Sequence, residues 1–171
     1  VVFLGPAPAG SLRRLAVSPA LGVTGEADEV RRIPTGGVAK APVLAVVGVG
    51  EVDPGDVEPE HLRRAAGAAS RQITGVASLG LAFPADDADR LAAVVEGALL
   101  GAYAFDRYRA VPEAQRPAAR VEVVTSLAKD RAAQRTTTRA AVVARAVHAV
   151  RDLVNTAPAD LYPAAFADTA R

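Results

Sequence analysis

The clearest pattern lies in the middle of the chain. Val43-Leu44-Ala45-Val46-Val47-Gly48 is a continuous apolar run between Pro42 and Gly50. A short run bounded in this way predicts a strand buried on both faces. Residues 50–55 read as a loop. Pro59 then suits a first helical turn, and Leu62, Ala65, Ala66, Ala69 and Ile73 recur behind it at helical spacing. Residues 76–83 predict the next strand, closed by Pro84. Asp86 and Asp87 stand where negative charge favours a helix start. Leu91, Val94, Val95, Ala98, Leu99, Ala102 and Phe105 follow as one helical stripe. Pro112 and Pro117 mark a loop, and Arg120–Ser126 alternates as a strand does. A long helix is predicted over residues 131–154, with Val143, Val147, Val150 and Val154 on one face. Asn155-Thr156-Ala157-Pro158 ends it, and a helical pattern resumes over 163–170.

The first forty residues are less regular. Val1–Leu4 and Leu15–Val17 read as strands, residues 24–30 as a short helix, and Gly36-Gly37 as a turn. Strands alternating with helices predict an α/β domain with a mixed, largely parallel sheet flanked by helices.

Composition narrows the function. With 171 residues, half of them hydrophobic, the chain has material for a core and is no disordered segment. Its longest uncharged apolar stretch is about half of what a bilayer requires, so no membrane partner is expected. The absence of cysteine removes disulfides, thiolate metal sites and cysteine nucleophiles. His61 and His148 are the only histidines, too few for a multi-histidine metal centre, and both read as surface residues. The chain opens Val1-Val2-Phe3 and has no methionine, which reads as the interior of a longer product. A net charge of +1 makes no electrostatic case for nucleic acid.

The local motifs are modest. Gly48-Val49-Gly50 follows a strand, but Asp53 occupies the place of the third glycine of a dinucleotide-binding turn. Gly97 and Gly101 make a flat patch suited to close helix packing. Tyr103, Phe105 and Tyr108 cluster near a helix end, as a core plug or as the lining of a pocket or an interface. Arg131, Arg135 and Arg139 share a helix face, either solvated or a possible interaction surface for phosphate or an acidic partner. Asp53, Asp56, Glu58 and Glu60 read as a solvated loop, since they lack calcium-loop spacing. None of these is a catalytic constellation.

Longer blocks carry a resemblance. Residues 151–163, RDLVNTAPADLYP, closely resemble the RDLVNTPPNDLYP signature of the leucyl (cytosol) aminopeptidase family, departing at Ala157 and Ala159. Residues 96–108 resemble that family's EGxLLGxYxFxxY helix, residues 24–30 its TGKAGE-like segment, and residues 43–50 its strand ending in VGLG. The likeness runs from about Thr24 to Asp168.

The resemblance implies a macro-domain-like N-terminal α/β domain over residues 1–150. It places the beginning of a metallopeptidase catalytic domain at 151–171. It further implies a parent enzyme that removes N-terminal residues, often leucine, from peptides, using two divalent metals, Mn or Zn. A cytoplasmic homohexamer is implied as well. The family's Lys, Asp and Glu ligands lie in motifs resembling VGKGxTFDTGG and NTDAEGRL, downstream of RDLVNTP. Neither motif occurs here, so no catalytic, metal or cofactor residue is assigned, and the segment alone is expected to be inactive. Its expected work is assembly and packing against its own catalytic domain. Some relatives bind DNA through this domain, and Arg131, Arg135 and Arg139 are the residues to which that alternative points.

Overall fold

The computed structural model describes residues 22–37, 39–53 and 56–169. The strands expected at Val1–Leu4 and Leu15–Val17 lie outside these residues. The described elements run β1 (Val30–Pro34), β2 (Val43–Val47), α1 (Pro59–Gln72), β3 (Ser78–Leu81), α2 (Ala88–Gly101), a 3-10 turn (Glu113–Gln115), β4 (Arg120–Val123), α3 (Arg131–Asn155) and α4 (Pro163–Thr169). The domain is mixed α/β, as the alternation predicts.

The sheet differs from the expectation of one largely parallel sheet. Among the described residues it is two separate ladders. β1 and β2 pair antiparallel, with Val30 opposite Val47, and β3 and β4 pair parallel, with Leu79 opposite Val121. β3, α2 and β4 form a strand–helix–strand crossover, the connection that parallel pairing requires. β2 is only half-buried, and Val43 is exposed, because β1 is its sole strand partner among the described residues.

Each helix starts where the sequence marks it. Pro59 opens α1, and the Glu58 N–H donates to His61 Nδ1 at 3.2 Å. Asp87 caps α2 by accepting the Arg90 N–H at 2.8 Å, and Asp130 caps α3 by accepting that of Ala133 at 2.8 Å. The stripe predicted through Ala102 and Phe105 is cut short, because α2 ends at Gly101. α3 runs unbroken across positions 150 and 151.

The core lies between α1, α2 and the β3–β4 pair. Leu62, Ala66, Ala69 and Ile73 meet Leu91, Val94, Val95 and Ala98 over Leu79 and Leu81. Three glycines set the α1–α2 distance. A Cβ on Gly67 would lie 3.3 Å from the Gly97 carbonyl oxygen. One on Gly97 would collide with the Arg63 carbonyl oxygen, and one on Gly101 with that of Gly67. The Gly97/Gly101 patch is therefore a packing device. Glu96, the charge inside the apolar stripe, is partnered across the same interface by Arg63 Nε at 3.3 Å.

Residues 24–30 are not the short helix expected from their composition. Gly25 and Asp28 have φ of +84° and +69°, which interrupts right-handed helix. The Glu29 carboxylate closes the turn instead, accepting the Thr24 N–H at 2.9 Å and the Gly25 N–H at 2.7 Å. Arg64 ties this turn to α1 through Asp28 at 2.8 Å, and Gln72 donates to the Asp28 carbonyl at 2.7 Å.

Burial opposes ionisation of Glu29, but Arg31, the two N–H groups and the Thr24 hydroxyl outweigh it and hold its pKa at about 2. A carboxylate depressed in the folded state stabilises above its unfolded pKa and loses that contribution as pH falls toward the folded value. Glu29→Gln should therefore cost about 1–2 kcal/mol at pH 7. The gap from wild type should close between pH 4.5 and pH 2. Urea unfolding at pH 7, 4 and 2.5 reads this directly, and a gap independent of pH would refute it.

Candidate functional site

The two blocks with the most specific sequence patterns, residues 96–108 and 151–163, meet in space. Beyond the end of α2 the chain turns, and Tyr103 reaches α3. Its hydroxyl donates to Asp152 Oδ1 at 2.8 Å and accepts from Asn155 Nδ2 at 2.9 Å. The Arg151 guanidinium lies over the same ring, 3.8 Å from its centroid. His148 packs against it with ring centroids 5.1 Å apart. Five residues on, the Tyr108 hydroxyl donates to Asp160 Oδ2 at 2.7 Å and accepts the Ala157 N–H at 2.9 Å. Phe105 packs against Tyr108 with the rings tilted and their centroids 5.7 Å apart.

Helical spacing explains the arrangement. Arg151 and Asp152 lie three and four residues after His148, and Asn155 four and three after them, so the four share one side of α3. Partial burial, with the Asp152 carboxylate in front of it, raises the Tyr103 pKa above its ordinary value, although Asn155 and Arg151 oppose the shift. The phenol therefore remains a donor at pH values where a free tyrosine begins to ionise. The aromatic cluster is neither a core plug nor a pocket wall. It is a clamp joining the end of α2 to the end of α3 and the turn beyond.

The remaining sequence readings resolve individually. The N–H groups of Gly48 and Gly50 donate to the carbonyls of Glu29 and Gly25 at 2.8 and 3.0 Å, so neither is free to cradle a phosphate. Asp53, Asp56, Glu58 and Glu60 are exposed, and Glu60 pairs with Arg63. His61 serves the α1 start. His148 corrects the surface reading, being half-buried with an Nε2 that has no hydrogen-bond partner. Its spacing from Arg151 and Asn155 was the available signal. Arg131, Arg135 and Arg139 do share one exposed face of α3, with Gln134 and Thr138 between them.

Among the described residues no group of three His, Asp or Glu side chains is placed to hold a metal ion. Asp152 and Asp160 are occupied by tyrosine hydroxyls on separate segments, and no lysine joins them. A two-metal centre needs several carboxylates converging on ions about 3.5–4 Å apart, and these residues do not fit one. No helix among the described residues is long and apolar enough to cross a membrane.

Fold and clamp together define a mixed α/β domain in which the segment after α2 is bound to the end of α3 and to the turn that follows it. A model of the cytosol aminopeptidase family, N-terminal domain, matches residues 9–112, beginning well ahead of Thr24. The chain belongs to the cytosol aminopeptidase family, through that N-terminal domain. It is 53% identical over 154 residues to a probable cytosol aminopeptidase of Micrococcus luteus, covering 86% of this chain and 30% of the relative. It is 41% identical to the one of Streptomyces griseus, covering 91% of this chain and 33% of that protein. Among solved structures, the bottromycin maturation enzyme BotP in complex with Mn superposes with a TM-score of 0.70 at 30% identity, covering 96% of this chain and 33% of that one. The chain thus spans about a third of the length of the relatives it matches.

Proposed function

We propose that this chain is the non-catalytic N-terminal part of a two-metal leucyl-type aminopeptidase that removes N-terminal residues from peptides in the cytoplasm. The observation that carries the reading is the match of an N-terminal-domain model to a chain spanning a third of its relatives. The clamp supports a positioning role. It fixes residues 148–160, the segment that leads out of the domain, against the body of the fold. The metals, Mn or Zn, would be held by residues outside this segment. The Mn in the BotP structure is in keeping with that chemistry. A homohexamer is the expected assembly of the whole enzyme.

The test is hydrolysis of a leucine anilide with added Mn, by the full-length protein and by the 17.5 kDa chain alone. Turnover is expected of the former and none above background of the latter. Turnover by the short chain that survives repurification would overturn the assignment, since it would require metal ligands within these residues.

A further inference from the structure

Among the described residues, one face of α3 carries a row of exposed apolar side chains. Val143, Val147, Val150 and Val154 follow at intervals of four, three and four along α3. That spacing keeps them in a seam on one side of a helix. They are 43%, 37%, 59% and 79% exposed, most open in the last two turns. α3 meets the body of the domain through another strip, Ala133, Ala140 and Ala144. A row of β-branched apolar side chains is a patch of the kind that marks an interaction surface.

We infer that this valine seam is the docking surface for the peptidase domain that follows this segment in the longer protein; the inference rests on the reading of the chain as an N-terminal domain. Two observations choose this occupant over a second copy of the chain. The matched relatives are about three times as long, and the matched model is of an N-terminal domain, so the remaining two thirds of such a protein come after it. The clamp holds Ala157 and Asp160 against Tyr108, so the chain past Val154 is held close to the last turn of α3, where the seam is most open. The exposed area argues the same way. Four partly exposed valines offer a few hundred Å², well below the roughly 800 Å² per partner of a stable dimer. A domain tethered to the same chain needs far less, because its effective concentration reaches about the millimolar range. The seam also spans only three helical turns, short for a two-stranded coiled coil.

The experiment uses the full-length protein. Val150→Cys, Val154→Cys and, on the exposed arginine face, Arg139→Cys are prepared singly. Alkylation by a maleimide is followed at each introduced thiol by peptide mass spectrometry. All three positions are exposed in the isolated fold, so the substitutions should not impede folding, and two seam positions guard against failure of either. Labelling at 150 and 154 should be at least tenfold slower than at 139, independent of protein concentration. Rates within twofold of one another would overturn the inference. Slow labelling that recovers on dilution would overturn it too, assigning the seam to a second copy. Leucine anilide turnover is read on the same preparations. Slow labelling without turnover would sustain the docking surface and sink the aminopeptidase reading, whereas turnover with equal labelling rates would do the reverse.

Discussion

Gly97→Ala should destabilise the domain by about 3 kcal/mol, although alanine is the better helix former. The propensity gain from Gly to Ala inside a helix is about 1 kcal/mol. Against it stands a collision between the new methyl and the Arg63 carbonyl oxygen, a backbone atom of α1 held in that helix's own hydrogen-bond ladder. The methyl can be admitted only if α1 and α2 move apart. Leu62, Ala66, Leu91, Val94 and Ala98 all pack at or beside that contact, so separation loosens the centre of the core. Overpacking of this kind costs about 1–3 kcal/mol and occasionally more, and here no flexible side-chain end is available to yield. Gly101→Ala should behave alike, because its methyl meets the Gly67 carbonyl. Gly67→Ala should cost far less, its nearest neighbour being 3.3 Å away. Gly80→Ala, with nothing within 4 Å, should be close to neutral. Urea midpoints for the four variants check the series. Equal effects at Gly97 and Gly80 would refute the close-approach account.

Tyr103→Phe should cost about 1–2 kcal/mol and, more informatively, should free the end of α3. The substitution keeps the ring under Arg151 and beside His148, so packing is retained. It removes the donor to Asp152 and the acceptor for Asn155. A hydrogen bond to a charged group is worth about 1.5–3 kcal/mol when well shielded, and the partial exposure here places the expectation at the lower end. The Asp152→Asn double-mutant cycle should return a coupling of about 1 kcal/mol between the two side chains. Limited proteolysis within residues 156–162 should be accelerated in Tyr103→Phe, and further when Tyr108→Phe is added. Unchanged cleavage in the double variant would mean that the clamp does not hold the exit segment.

Much of the local structure was legible in the chain. Pro59, Asp87 and Asp130 mark helix starts because a fixed φ or a carboxylate satisfies the open N–H groups of a first turn. The period of α2 exposed its buried face. Residues 24–30 misled because Gly25 and Asp28 adopt positive φ while Glu29 folds back on its own turn. That choice depends on anchors in α1, Arg64 and Gln72, about forty residues away in sequence.

What the sequence determined by itself is the order of strands and helices from β2 to α4, and the family. These follow from local periodicity, from capping chemistry and from blocks of residues that can be recognised without knowing where they lie in space. The tertiary structure alone decided the rest. It paired the strands into two ladders, set Gly97 and Gly101 against Arg63 and Gly67 of α1, and brought Tyr103 to Asp152 and Tyr108 to Asp160. It also left the four valines of α3, which the sequence puts on one face, outside the core. A periodic apolar stripe says that a helix face will be covered, and only the packing of the other elements says by what. In this domain the α2 contact falls on the alanines and leaves the valines open.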